Sequence, residues 1–215
     1  MIIAITTAPR EIPTLNATIK ALRGAGYEDT IYIFAEPGSM NIYAENVKIY
    51  IHKERKGAFN NYDFVLNWFL TQEEDEIIIM QDDLIVCKNF LELLENRTKN
   101  YGYYNLLTVA ENPDVNEIVT NPGWNRCWIG RWAWGACYLM QKQVIKRILQ
   151  NDYYINHKEG RSDGNKGEMI DGCISQSLKL MDLPMFYHNP SLTQHIGVSS
   201  TLNHEGILTG YKWKP

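Results

Sequence analysis

The chain predicts an α/β fold built on a mostly parallel central sheet. Three observations carry that expectation. Short runs of β-branched and other apolar residues, IIAITT, TIYIFAE, VKIYIH and EIIIM, recur through the first half. Segments with apolar residues at helical spacing lie between most of them. Each run also ends in polar residues. Strands buried on both faces read as continuous apolar runs, and strands alternating with helices form parallel βαβ units.

Taken in order, IIAITT is a buried strand. TLNATIKALRGAG is a helix whose Leu15, Ile19 and Leu22 share one face, with Thr14 at the N-cap and Gly24 or Gly26 at its end. TIYIFAE is a second strand, stopped by the turn pair Pro37-Gly38. VKIYIH is a third. NNYDFVLNWFLTQ is an amphipathic helix carrying Val65, Trp68 and Phe69 on one side. EIIIM is a fourth strand, and KNFLELLENRTKN a short helix. In the second half NLLTVAEN and ACYLM read as strands, QKQVIKRILQ and IDGCISQSLKLMD as helices, and PSLTQHIGVSSTLNHEG as a polar tail. NHKEGRSDGNKGE is a thirteen-residue loop with three glycines, a length that usually signals a functional segment. No repeat, low-complexity tract or linker divides the chain, so residues 1–215 read as a single domain.

With 215 residues, the chain is long enough for one sizeable core. Its net charge of −4 argues against wrapping nucleic acid by electrostatics alone. No apolar run is long enough to span a membrane. The N-terminus reads as a strand rather than a signal peptide, which implies a cytoplasmic setting. Cys87, Cys127, Cys137 and Cys173 form no CxxC pair, so they read as reduced, mostly core thiols.

In open α/β sheets ligands sit at the carboxyl ends of the strands. Those ends hold Thr6-Thr7, Glu36, His52-Lys53 and Gln81-Asp82-Asp83. Two adjacent carboxylates repel unless a cation relieves them, and hard oxygen ligands suit Mn²⁺ or Mg²⁺. An acidic surface turn is the plain alternative. His195 would close a metal shell begun by Asp83, or simply be a packed histidine. Asp171, opening a helix after the glycine-rich loop, is either a general base for a hydroxyl or a helix cap. Arg10, Lys53 and Lys56 are basic groups suited to a diphosphate, whereas Arg55 reads as a solvated charge. Gly57 with Asn60 and Asn61 permits close backbone approach and amide contacts to a base or ribose, or merely starts the next helix. Four of the six tryptophans, Trp124, Trp128, Trp132 and Trp134, cluster near Arg126. Their faces stack on sugars or fill a core.

Together, IIAITTAPR, QDDL after a strand, WGACYLM, IDGCIS and PSLTQHIGVSS resemble the GT-A glycosyltransferases, over nearly the whole chain and in the family's order. The likeness extends to small viral members, chlorovirus capsid-glycan glycosyltransferases among them. It implies a GT-A type fold with a nucleotide-sugar-binding part over about 1–110 and an acceptor side over about 111–215. The implied activity is metal-dependent transfer of a sugar from a UDP-linked donor to an acceptor hydroxyl, inverting, with a glycan as acceptor and, for a viral protein, the host cytoplasm as setting. Gln81-Asp82-Asp83 stands at the DxD motif, with Asp83 and His195 on the metal and Asp82 toward the ribose. Thr6, Thr7, Arg10 and Glu36 match the nucleotide end of the first two strands. Lys56, Gly57, Asn61 and Gln81 complete the donor side, Asp171 takes the catalytic base position, and Trp124, Arg126, Trp132 and Trp134 the acceptor side. The chain departs from the family at Gln81, where an acid is usual, and at Gly172, where many inverting members have a second acid.

Three competing readings stand beside this one. A sugar-1-phosphate nucleotidyltransferase would need glycines after the first strand, where TTAPREIP has none. A carbohydrate-binding module would use the tryptophans and leave the acids idle. A transferase acting on hydroxymethylated DNA bases would draw on the basic stretches HKERK and YKWKP.

Overall fold

The computed structural model describes residues 1–39, 44–109, 121–127, 136–159, 170–197 and 212–215. Its first half follows the apolar runs. β1 (Ile2–Thr7), α1 (Leu15–Gly24), β2 (Ile31–Ala35), β3 (Val47–Ile51), α2 (Gly57–Phe69) and β4 (Glu76–Gln81) occur in that order. Then come β5 (Leu84–Val86), α3 (Phe90–Glu95), β6 (Tyr103–Asn105), β7 (Gly123–Cys127) and β8 (Cys137–Gln141). The chain continues through α4 (Lys142–Leu149), α5 (Asp152–Glu159), α6 (Ile170–Leu180), β9 (Met185–Asn189) and β10 (Thr193–His195).

Eight strands form one sheet in the order β3-β2-β1-β4-β8-β6-β9-β7, and β5 pairs with β10 apart from it. The first four are all parallel. Beyond β4 the sheet is mixed: β8 runs against both β4 and β6, β9 runs with β6, and β7 runs against β9. The carboxyl ends of β1, β2, β3, β4, β6 and β9 therefore share one edge of the sheet.

Side chains alternate across a strand, and the core follows that period. Ile2, Ala4, Ile77 and Ile79 face the layer that holds α2, α4 and α6, with Val65, Phe69, Val144, Ile148, Ile174 and Leu178. Ile3, Ile5, Ile78 and Met80 face the opposite layer, where α1 contributes Leu15, Ile19 and Leu22 and α3 contributes Phe90 and Leu94. Each large apolar side chain buried this way contributes about 1.5–3 kcal/mol. The result is a Rossmann-like α/β domain with helices on both faces.

Several boundaries differ from expectation. Of the segment NLLTVAEN, read as a strand, only Asn105 belongs to one among the described residues, and residues 110–112 lie outside them. β6 lies earlier, because the Tyr103 amide pairs with the Pro184 carbonyl at 3.0 Å, and its ladder stops where the Leu106 carbonyl turns to accept the Leu192 and Thr193 amides. The polar tail contains β10. Residues 156–159, read as loop, close α5. Thr14 stands at the N-cap of α1, but its hydroxyl makes no capping bond and is buried without a partner. The four cysteines are buried and none is in a disulfide, as expected.

Candidate functional site

The order β3-β2-β1-β4 means that the chain leaves β1 toward one side of the sheet and returns on the other. The switch point between β1 and β4 is where open α/β sheets place ligands. Backbone bonds extend the ladders just past the strand ends: the Glu36 amide donates to Thr7 O at 2.9 Å, that of His52 to Ala35 O at 3.0 Å, and that of Asp82 to Thr6 O at 3.1 Å. Thr7, Glu36, His52 and Asp82 are thereby set along one edge.

Asp82 and Asp83 occupy the switch point, each only 2% exposed. Thr7 Oγ1 donates to Asp82 Oδ2 at 2.5 Å, and Arg10 Nε donates to Asp82 Oδ1 at 3.0 Å. Arg10 Nη2 lies 2.8 Å from both Asp82 Oδ1 and Asp83 Oδ2. Thr18, fully buried on α1, donates to the Asp82 carbonyl at 2.7 Å and fixes the turn from below. The β5–β10 ladder brings in His195. It pairs with Leu84, the Ile196 amide donates to Asp83 O at 2.8 Å, and His195 Nε2 reaches Asp83 Oδ2 at 3.0 Å. Asp83 Oδ1 and His195 Nδ1 are buried with no hydrogen-bond partner among the described residues.

These environments drive the two carboxyls apart. Burial pushes Asp82 up, and Arg10 and the Thr7 hydroxyl only partly oppose it. Burial pushes Asp83 the same way, but the His195 hydrogen bond and charge, with Arg10, outweigh it and hold Asp83 below the usual carboxylate range. Asp83 is thus the carboxylate whose charge is secured.

A second group lies beyond β2 and β3. Glu36, 3% exposed, accepts the Lys56 amide on Oε2 at 2.8 Å, at the entry to α2, while its Oε1 is buried with no partner among the described residues. Lys56 Nζ turns outward to Glu54 at 2.8 Å. Gly57 holds φ +74, in the left-handed region, with open space where a Cβ would stand. Asn61 is engaged inside the fold: Oδ1 lies 2.9 Å from His52 Nε2, and Nδ2 donates to Phe34 O at 3.1 Å. It bolts α2 to the ends of β2 and β3. Gln81 ends β4 half-buried, its amide bonded to Ala136 O at 2.8 Å.

Asp171 sits in the first turn of α6, its Oδ1 accepting the Gly172 amide at 3.0 Å. Between α6 and the sheet lies Tyr62, a fully buried residue of α2 to which the sequence alone assigns no function. Burial is the main force raising the Tyr62 phenol; a hydrogen bond with Thr6 opposes it, and the charges of Asp83 and Asp171 both add to it. Tyr62 therefore lies within electrostatic reach of both acids. An aromatic on the apolar face of a helix gives no sequence signal of such a place, and neither does the buried hydroxyl of Thr18.

The tryptophan cluster divides. Trp124 is the second residue of β7, four strand spacings from β4, about 19 Å. Its indole donates to Leu93 O at 3.1 Å and packs edge-on against Tyr104 and His188. Arg126 is exposed on the same strand. Trp128, Trp132, Trp134 and most of the 157–168 loop lie outside the described residues. Among the described residues no three or more His, Cys, Asp and Glu side chains converge as a metal-holding group, and no helix is long and apolar enough to cross a membrane. The architecture is that of a Rossmann-like domain and is compatible with a nucleotide-binding enzyme. No protein-family model and no curated protein matches the chain.

Proposed function

We propose that this chain is a metal-dependent GT-A type glycosyltransferase that moves a sugar from a UDP-linked donor to an acceptor hydroxyl, most simply of a glycan, with inversion. The observation that carries the reading is the buried Asp82–Asp83 pair at the β1/β4 switch point, with His195 delivered to Asp83 by the β5–β10 ladder. A catalytic divalent ion of the Mg²⁺ or Mn²⁺ type is commonly held by one or two protein ligands together with substrate phosphates. Two side chains suffice for that: Asp83 and His195 already lie 3.0 Å apart, and Asp83 Oδ1 is buried with no partner among the described residues. The residues therefore fit such an ion, with Asp83 and His195 as its ligands. Bound there, the cation supplies positive charge to the departing diphosphate.

The chain's own residues do the rest. Thr6, Thr7, Gln81 and Asp82 line the switch point against the nucleotide, and Arg10 is within reach of its diphosphate. Glu36, Lys56, Gly57 and Asn61 frame the nucleoside end, with the free Glu36 oxygen as acceptor for a ribose hydroxyl or base N–H. The acceptor oxygen attacks the anomeric carbon as its bond to the diphosphate oxygen breaks. The bonding pair leaves with the diphosphate, and the hydroxyl proton passes to Asp171. Trp124, Arg126, Trp132 and Trp134 belong to the acceptor side in this reading. The internal packing of the Trp124 indole weighs against the alternative of a carbohydrate-binding module.

The test is turnover of UDP-sugars by wild type and Asp171→Asn, with UDP binding measured alongside. Loss of a general base costs about 10²–10⁴ in rate, so Asp171→Asn should bind UDP normally and turn over that much more slowly. Wild-type turnover in the variant removes Asp171 from the chemistry. No turnover by wild type with any nucleotide sugar removes the proposal.

A further inference from the structure

We propose that Arg10 is a resident counter-cation of the carboxylate pair, and that a nucleotide diphosphate must draw it away before a divalent cation can bind. The guanidinium is inside the site, not at its rim. Its side chain is 10% exposed, and Nη2 sits 2.8 Å from one oxygen of each carboxylate. Thr7 closes on Asp82 from one side and His195 on Asp83 from the other. The pair thus has a cation and two hydrogen-bonding partners supplied by the protein itself.

A Mg²⁺-type ion bonds oxygen at about 2.0–2.1 Å. Asp83 Oδ2 already carries Arg10 at 2.8 Å and His195 at 3.0 Å. A divalent ion on Asp83 Oδ1 and a guanidinium on Oδ2 of the same carboxylate would stand within a few ångströms of each other, at a site with little water to screen them. The two cations compete. A diphosphate resolves the conflict, because its oxygens offer the planar guanidinium the same two-pronged acceptor geometry that the carboxylates do. Arg10 is placed to make the exchange: it lies in the irregular stretch between β1 and α1, so its side chain can turn without disturbing a strand.

The consequence is a coupling. Metal alone binds weakly to wild type, metal and nucleotide each strengthen the other, and by linkage the factor is the same in both directions. The inference takes its diphosphate from the nucleotide-sugar reading, but the effect of Arg10 on metal alone does not depend on that reading.

The experiment is Mn²⁺ titration by electron paramagnetic resonance on wild type, Arg10→Gln and Arg10→Lys, each with and without UDP. Arg10→Gln should bind Mn²⁺ alone about tenfold or more tighter than wild type, within the usual range of coupling factors. Its further gain on adding UDP should shrink correspondingly. Arg10→Lys keeps the charge and should stay near wild type with metal alone. A merely structural arginine would not tighten metal binding when removed, so a folded Arg10→Gln that binds Mn²⁺ no better than wild type overturns the proposal. If Arg10→Gln unfolds without metal, Mn²⁺ should refold it at concentrations that leave the wild-type Tm unchanged, and failure to do so also overturns it. If Arg10→Gln tightens Mn²⁺ but UDP gives wild type no gain, the diphosphate exchange and the nucleotide reading fall while the resident cation stands.

Discussion

Gly197 is the residue through which the account of Asp83 can be tested with a single methyl. A Cβ at Gly197 would stand 2.7 Å from Asp83 Oδ2, 3.2 Å from Asp83 Cβ and 3.1 Å from His195 Cε1. Non-bonded carbon contacts are comfortable only near about 3.5–4.0 Å, so in Gly197→Ala the carboxylate has to give way. Oδ2 is the atom that holds both Arg10 and His195. A hydrogen bond to a charged group is worth about 1.5–3 kcal/mol, and overpacking a filled site costs about 1–3 kcal/mol. Urea unfolding of Gly197→Ala should therefore show a loss of about 1–3 kcal/mol. By displacing the Asp83 carboxylate, the proposed metal ligand, Gly197→Ala should also weaken Mn²⁺-dependent UDP binding, about tenfold for each 1.4 kcal/mol of metal-dependent affinity lost. Gly24→Ala is the control, since a Cβ there meets nothing within 4 Å; it should be neutral or slightly stabilising. A Gly197→Ala protein as stable as wild type, with unchanged binding, would refute the idea that Asp83 is pinned.

Two further outcomes follow from the same physics. Asn61→Ala should destabilise the domain by about 1–3 kcal/mol, because it leaves the buried His52 Nε2 unpaired and removes one donor to the Phe34 carbonyl; urea denaturation reads this, and an unchanged midpoint contradicts it. Burial raises the Tyr27 phenol to about 12, and it also raises Tyr62, Tyr103, Tyr104, Tyr138 and Tyr154. A raised folded value means that stability is complete below the unfolded value of about 10 and is lost as pH climbs through the folded one. Phenolate absorbance followed with circular dichroism should show these rings ionising only as the domain unfolds above about pH 10. Ionisation of all thirteen tyrosines near that pH with structure intact would contradict it.

How much could be read in advance depended on the length and burial of each element. β1, β2 and β4 are buried on both faces, so their apolar runs are nearly continuous and bounded by turn residues, and they were legible. β5, β6 and β10 span three residues each, too short for a period to declare itself. β7, with the sequence GWNRC, has no clean alternation. The carboxylate pair was legible as polar residues ending a buried strand. His195 was legible as a candidate partner of Asp83 or as a packed histidine, but the contact itself was not, because its cause is a ladder between two short strands far apart in the chain. Arg10 was legible as a basic group after β1 but not as the ion pair of both acids. Asn61 offered an amide for a ligand by sequence; in the fold His52 and Phe34 take both of its ends.

The central claim is that Asp83 holds a metal that holds a nucleotide diphosphate. Calorimetric titration of UDP into wild type and Asp83→Asn, with and without Mn²⁺, tests it most directly. The account predicts UDP binding that Mn²⁺ strengthens in wild type and not in a folded Asp83→Asn protein. UDP binding indifferent to Mn²⁺, or preserved in full with metal dependence intact in Asp83→Asn, would contradict it.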